Sequence, residues 1–282
     1  MSAALQQLQA IVQAAPEAPT AKWFATIDAP QVKRDLGINW QDHPIIHRWK
    51  NLLQGTPEGL EADLTCWLAP LTDETLQLTA DLSKSSPFCC TWLQSSWSID
   101  EIAAYWNQST NPHLPDRGKG LLRFYDACIL NTLQPVLTPA QWETLTAPLT
   151  QWLYIDRNGT LANINVPAQE LRHDGKLTLS KTQLKQLTQA GKTDNIIFHM
   201  HTSEHLPENY DPFATYQQIS AALALLNKHK IEKSQEQYLF STLTLKWPLT
   251  HFAAPELEQA LASYKTGATD LSLLVAQHAP QR

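Results

Sequence analysis

Glycine is scarce: 9 residues among 282, well below the ~7% usual in proteins. Phosphate-cradling loops depend on glycine. Neither Gly-x-x-x-x-Gly-Lys-Ser/Thr nor Gly-x-Gly-x-x-Gly occurs, so nothing in the sequence supports nucleotide binding. Basic charge is also short. Lys+Arg number 21 against 27 Asp+Glu, a net charge of −6, and no block of like charge occurs. A nucleic-acid partner would need a basic face, so none is expected. No apolar run reaches the ~20 residues of a membrane span, and no membrane partner is expected. The start, Met1 to Val12, lacks a basic region followed by a continuous apolar one, so it is not expected to act as a secretory signal.

Cysteine chemistry is equally thin. The four cysteines, Cys66, Cys89, Cys90 and Cys128, form no Cys-x-x-Cys pair. A disulfide framework is not expected, and reduced thiols in apolar surroundings are the simple reading. Neither a Gly-x-Ser-x-Gly elbow nor a catalytic-cysteine signature is found. Carboxylate pairs such as Asp73-Glu74 and Asp100-Glu101 stand at expected helix starts. There, capping and the helix dipole account for them better than acid–base work. No cofactor and no resident metal are expected.

What the chain has in excess is tryptophan. Nine of its 10 Trp fall between Trp23 and Trp152, with only Trp247 later. This asymmetry predicts halves of different construction. Trp23, Trp67 and Trp92 sit in expected strands and read as core. Trp40, Trp49, Trp97 and Trp106 stand beside polar residues. For these four, core filling and an exposed aromatic binding surface are both open.

Periodicity predicts an amphipathic helix over 3–14 and strands at 23–28, 60–68, 87–93 and 120–125. Ser98 to Glu101, Thr138 to Gln141 and Ser180 to Gln183 are capping boxes. Asp126 is placed to cap a helix from Ala127 to Leu133. Asn158-Gly159 and Asp174-Gly175 predict two hairpins. Beyond them the pattern turns helical, with a stripe of Tyr216, Ile219, Leu223 and Leu226 after Asp211-Pro212. Further helices are expected from Ser234, over 255–262 and over 270–276. The expected class is α+β. An N-terminal α/β lobe, 1–178, has a mixed sheet flanked by helices, and a mostly helical C-terminal lobe covers 179–282.

Two strings carry candidate chemistry. Phe198-His199-Met200-His201, followed by Glu204 and His205, would bring His199 and His201 to one face of a strand. With His205 they would make a metal-dependent hydrolase the alternative function. A polar segment before a loop accounts for the string equally well. The second string is Arg123-Phe124-Tyr125-Asp126, at an expected strand-to-helix junction. Its structural role is simple: Asp126 caps the helix, and Arg123 pairs with Asp28 or with Asp126 itself. Its functional role would be an Arg exposed at a strand end, a usual place for binding residues.

The Arg-Phe-Tyr-Asp string, with Trp23 to Ala29, Trp67 to Leu71, Leu137 to Gln141 and Trp152 in the same order, resembles the effector adaptor/chaperone family of bacterial type VI secretion. These Tap- or Tec-like proteins carry domain of unknown function 4123. The resemblance covers about residues 22–156. Where the family often continues Pro-Arg after the Asp, this chain has Ala127-Cys128, so any partner contact made by that second Arg is absent here. The resemblance implies a non-enzymatic cytoplasmic protein of a Gram-negative bacterium. Such a protein binds a cognate secreted effector and loads it onto the valine-glycine repeat (VgrG) spike or its PAAR tip. It implies a partner-binding or structural role for Arg123, Phe124, Tyr125, Asp126, Trp23 and Asp28.

Overall fold

The computed structural model describes residues 3–14, 21–41, 43–116, 118–167, 174–207, 209–264 and 270–280. The chain divides into two compact units, Met1–Gln189 and Ala190–Arg282.

The first unit is built on a six-stranded sheet. Its strands are β1 (Lys22–Asp28), β2 (Lys50–Asn51), β3 (Cys66–Pro70), β4 (Cys90–Ser95), β7 (Gln151–Ile155) and β8 (Leu161–Ile164). They lie in the order β2-β3-β1-β4-β7-β8. The α+β class is as expected, but every ladder of this sheet is antiparallel rather than mixed. The inner strands are buried along most of their length. Both faces are therefore covered, which is why these segments read as continuous apolar runs instead of alternating ones. The flanking helices are α1 (Ala3–Gln13), α2 (Ala29–Leu36), α3 (Asp73–Ser85), α4 (Ile99–Ser109), α5 (Ala127–Val136), α6 (Pro139–Thr146) and α7 (Lys181–Ala190). A small hairpin, β5 (His113–Leu114) with β6 (Gly118–Lys119), follows α4.

All three capping boxes form. Ser98 accepts from the Glu101 amide and Glu101 from the Ser98 amide, and Thr138 with Gln141 does the same. Ser180 with Gln183 completes the set at the start of α7. Ser98→Ala should cost about 1 kcal/mol, because it orphans a helix donor. Thermal denaturation checks this, and an unchanged transition would mean that water replaces the cap.

The expected strand at 60–68 begins only at Cys66. Residues 58–60 form a 3-10 turn instead, and Asp63 takes the Trp40 amide as a loop anchor. The expected strand at 120–125 is absent. Gly120 N–H goes to the Pro112 carbonyl and Leu122 N–H to that of Thr110. Both neighbours of β4 are already in place, so the sheet offers this segment no ladder there. The Asn158-Gly159 hairpin forms between β7 and β8, with Gly159 at φ +75. The Asp174-Gly175 hairpin falls partly on 168–173 and lies outside the described residues.

The second unit is helical: α8 (Lys192–Thr202), α9 (Pro212–Lys228), α10 (Ser234–Leu243), α11 (Pro255–Ser263) and α12 (Leu271–Gln277). Asp211 caps α9 through the Phe213 and Ala214 amides. Ile219, Leu223 and Leu226 are buried as the stripe predicts. One cluster gathers around Phe240, Trp247, Phe252, Leu257 and Leu271. A second joins Ile196 and Met200 of α8 to Ile219 and Leu223.

Of the four tryptophans left open, three are core. Trp40 and Trp106 are 0% exposed and Trp49 is 6% exposed. Trp97 is half-buried and meets the Tyr105 ring edge-on at 5.3 Å. Trp40 packs against Trp49 at 5.8 Å, and Trp106 against Phe124 and Trp152 at 5.0 and 5.4 Å. Trp67 and Trp92 are core as expected, and Trp23 is half-buried. No helix among the described residues is long and apolar enough to cross a membrane.

Candidate functional site

The Arg-Phe-Tyr-Asp segment ends in a turn in which Asp126 N–H donates to the Arg123 carbonyl at 2.9 Å. Alternate residues therefore serve different ends. Phe124 is 0% exposed and meets the rings of Trp106, Tyr125 and Trp152 at 5.0, 5.7 and 6.3 Å. Asp126 accepts from the Cys128 amide at 2.9 Å and starts α5. The cap forms with Ala127-Cys128 following Asp126. Arg123 reaches to the carboxyl end of β1, where its Nη2 donates to Asp28 Oδ2. Asp126 Oδ2 lies 3.9 Å from the same nitrogen.

Asp28 is 1% exposed. Its amide donates to the Cys89 carbonyl at 2.8 Å, and it stands opposite Cys66 across the β1–β3 ladder. Burial raises its carboxyl above the ordinary 3.8, with the Arg123 charge opposing. Asp28 in turn holds the Arg123 guanidinium above its usual range. Burial pushes the Tyr125 hydroxyl and the Cys66 thiol up as well. Asp28 Oδ1 and Arg123 Nε are buried and have no hydrogen-bond partner among the described residues. The Arg123 side chain remains 38% exposed. The pair is thus a buried carboxylate tied to a guanidinium that reaches the surface.

Of the six residues singled out in the sequence, five meet here: Asp28, Arg123, Phe124, Tyr125 and Asp126. Trp23 does not. It lies at the opposite end of β1, about 17 Å away along the strand. Cys66 belongs to the cluster and was not singled out; only the β1–β3 register, invisible in the sequence, places it opposite Asp28. Cys66, Cys89, Cys90 and Cys128 are free thiols. Burial also raises Cys89, and thiols pushed up in this way are poor nucleophiles.

The histidine string is a helix rather than a strand. Thr193, Ile196 and Met200 make a helical stripe that buries one side of α8. His199 and His201, two residues apart, therefore project about 200° from each other around the axis. They diverge further in their contacts. The His201 ring lies 6.2 Å from Tyr210, and His205 Nδ1 is 2.7 Å from the Tyr238 hydroxyl. Among the described residues no group of three His, Cys, Asp or Glu is placed to hold a metal. The hydrolase alternative loses its geometric basis. A groove of about 330 Å³ between the β5–β6 turn and α7 is lined by Leu114, Pro115, Lys181, Leu184 and Asp116. Its Lys181 and Asp116 pair at 3.0 Å.

Asp28, Cys66 and Arg123–Asp126 thus come from three separate stretches that the fold joins, all of them before β7. Residues 23–144 match the family model described as Domain of unknown function (DUF4123). Neither a curated protein nor a solved structure matches the chain. The DUF4123 match begins in β1 and ends in α6, so it encloses the whole cluster. It also encloses the Trp67–Leu71 and Leu137–Gln141 segments, and it leaves Trp152 and the second unit outside.

Proposed function

We propose that this protein is a non-enzymatic adaptor/chaperone. On this reading it binds a type VI secretion effector in the cytoplasm of a Gram-negative bacterium and helps to load it onto the VgrG spike or its PAAR tip. One observation carries the reading: the DUF4123 match encloses, in order, four of the segments on which the resemblance to the adaptor family rests. The geometry is compatible with it. The cluster at Arg123 holds strands and helices together and brings no activated nucleophile to a cleft.

In such a role the first unit supplies a rigid platform, and the Arg123–Asp28 pair fixes where β1 ends and α5 begins. Deleting the gene should leave the toxin that serves as its cognate effector expressed but strip that toxin from the secreted spike fraction. Immunoblots of cells and culture medium check this. Undiminished toxin in the medium would overturn the adaptor role.

A further inference from the structure

We infer that the loop between β2 and β3, residues 52–65, is a preformed docking knob. It seats Leu60 in an apolar cleft, rimmed by Lys or Arg, on a partner protein. The inference rests on the adaptor reading in taking that partner to be the effector.

The loop has no regular structure beyond one 3-10 turn, yet its course is fixed by side chains from outside and within. Asn51 Nδ2 donates to the Gly59 carbonyl at 2.8 Å, while its Oδ1 accepts from the Leu53 amide at 2.8 Å and from the Thr65 hydroxyl. Thr56 Oγ1 donates to the Leu53 carbonyl at 2.9 Å and accepts from the Gly59 amide at 3.2 Å. From α4, Asn107 Nδ2 donates to the carbonyls of Leu52 and Gln54 at 3.1 and 2.8 Å. Trp67 Nε1 donates to the Ala62 carbonyl at 3.1 Å. The Asp63 carboxylate, 2% exposed, accepts from the Trp40 amide at 2.6 Å and from Lys33 Nζ at 2.7 Å. Leu52 and Leu53 pin the base at 0% exposed. Gly59 packs so closely that a Cβ would fall 2.0 Å from the Leu53 carbonyl oxygen, so no other residue fits without moving the loop.

At the tip of this scaffold Leu60 is 84% exposed, more than any other large apolar residue described, and Leu64 is 42% exposed. A lone exposed leucine is ordinary. A leucine held out on a loop braced by these hydrogen bonds is different, because bracing lowers the ordering cost of binding. Loops positioned on rigid scaffolds are where binding residues concentrate. Charge names the occupant. Leu60 is flanked by Glu58, half-buried, and Glu61, exposed. Together with the overall −6 they complement a basic rim. The same two acids oppose a second copy of this chain, which would bring like charges together across a two-fold axis. They also oppose an anionic lipid surface.

The test uses the full chain and the toxin that deletion of the gene strips from the secreted fraction, with affinity measured by isothermal titration for wild type, Leu60→Ala, Leu60→Asp and Glu61→Lys. The Leu60 variants should bind roughly tenfold to a hundredfold more weakly. The charge-reversed variant should also bind more weakly, and that loss should shrink at high salt. Melting temperatures should not move for the Leu60 and Glu61 variants, because both side chains are exposed; this separates lost docking from lost folding. Wild-type binding that all the variants retain would overturn the knob and leave the adaptor reading standing. Absence of wild-type binding would overturn both. Light scattering on the free chain adds a further outcome: a dimer abolished by Leu60→Asp would reassign the loop to self-association and overturn the inference.

Discussion

Arg123→Met is expected to destabilise the sheet-containing unit by about 2–3 kcal/mol at neutral pH. Removing one partner of a buried pair leaves an uncompensated charge, and such losses reach about 3–5 kcal/mol. The lower figure allows for solvent screening of a side chain that is 38% exposed. For a unit of this size the melting transition should fall by roughly 4–12 °C. The pH dependence has a definite sign. Asp28 already has a raised folded-state pKa because it is buried, and the Arg123 charge restrains that rise. Without Arg123 the rise is larger. An acid whose folded pKa exceeds its unfolded one is most stabilising below the unfolded value, and that stability is lost as pH rises through the folded one. The deficit of the variant should therefore be small near the ordinary 3.8 of an aspartate and grow as pH climbs above it. Asp28→Asn in the Arg123→Met background should recover part of the loss, since no buried charge remains. Melting curves of wild type and the two variants across pH check all of this. A deficit independent of pH would show that Asp28 is not the group exposed by the change.

Phe124→Ala should cost more still, about 3–5 kcal/mol, as buried aromatic deletions do. The ring is 0% exposed and contacts Trp106, Trp152 and Tyr125. Trp106 and Trp152 are themselves 0% exposed and stack at 5.4 Å, so they have little freedom to collapse into the space. Trp106 Nε1 is held by the Leu145 carbonyl at 2.9 Å and Trp152 Nε1 by the Thr91 hydroxyl at 2.9 Å. These bonds resist the rotations that would fill the hole. Near-wild-type stability in chemical denaturation would mean that the aromatic layer repacks, contrary to this account. Phe124→Leu, which keeps most of the volume, should recover much of the loss.

Local signals in the sequence translated well. The three capping boxes, the Asp126 and Asp211 caps and the Asn158-Gly159 turn each depend on residues within four positions of one another, and each forms. Segments whose fate is decided at long range did not. Residues 120–125 have strand-like composition, but the ladders on both sides of β4 are filled by β1 and β7. The string at 198–201 alternates like a strand only over four residues; the helical stripe that decides it spans Thr193 to Met200. Polar neighbours made Trp40, Trp49 and Trp106 ambiguous, since burial of an indole in a layered fold depends on which side of the backbone it leaves. The pairing of Arg123 with Asp28, 95 residues apart, was legible as one of two possible partners for a strand-end arginine. Cys66 and the loop presenting Leu60 were not legible, because both are products of register and of side chains brought in from elsewhere.

The most direct test of the adaptor account is co-expression of the affinity-tagged chain with the toxin that depends on its gene for secretion, followed by size-exclusion chromatography with light scattering. The account predicts a stable complex of defined mass in which the 31.7 kDa chain co-elutes with the toxin. A chain that elutes alone, beside a toxin that is folded without it, would contradict the account.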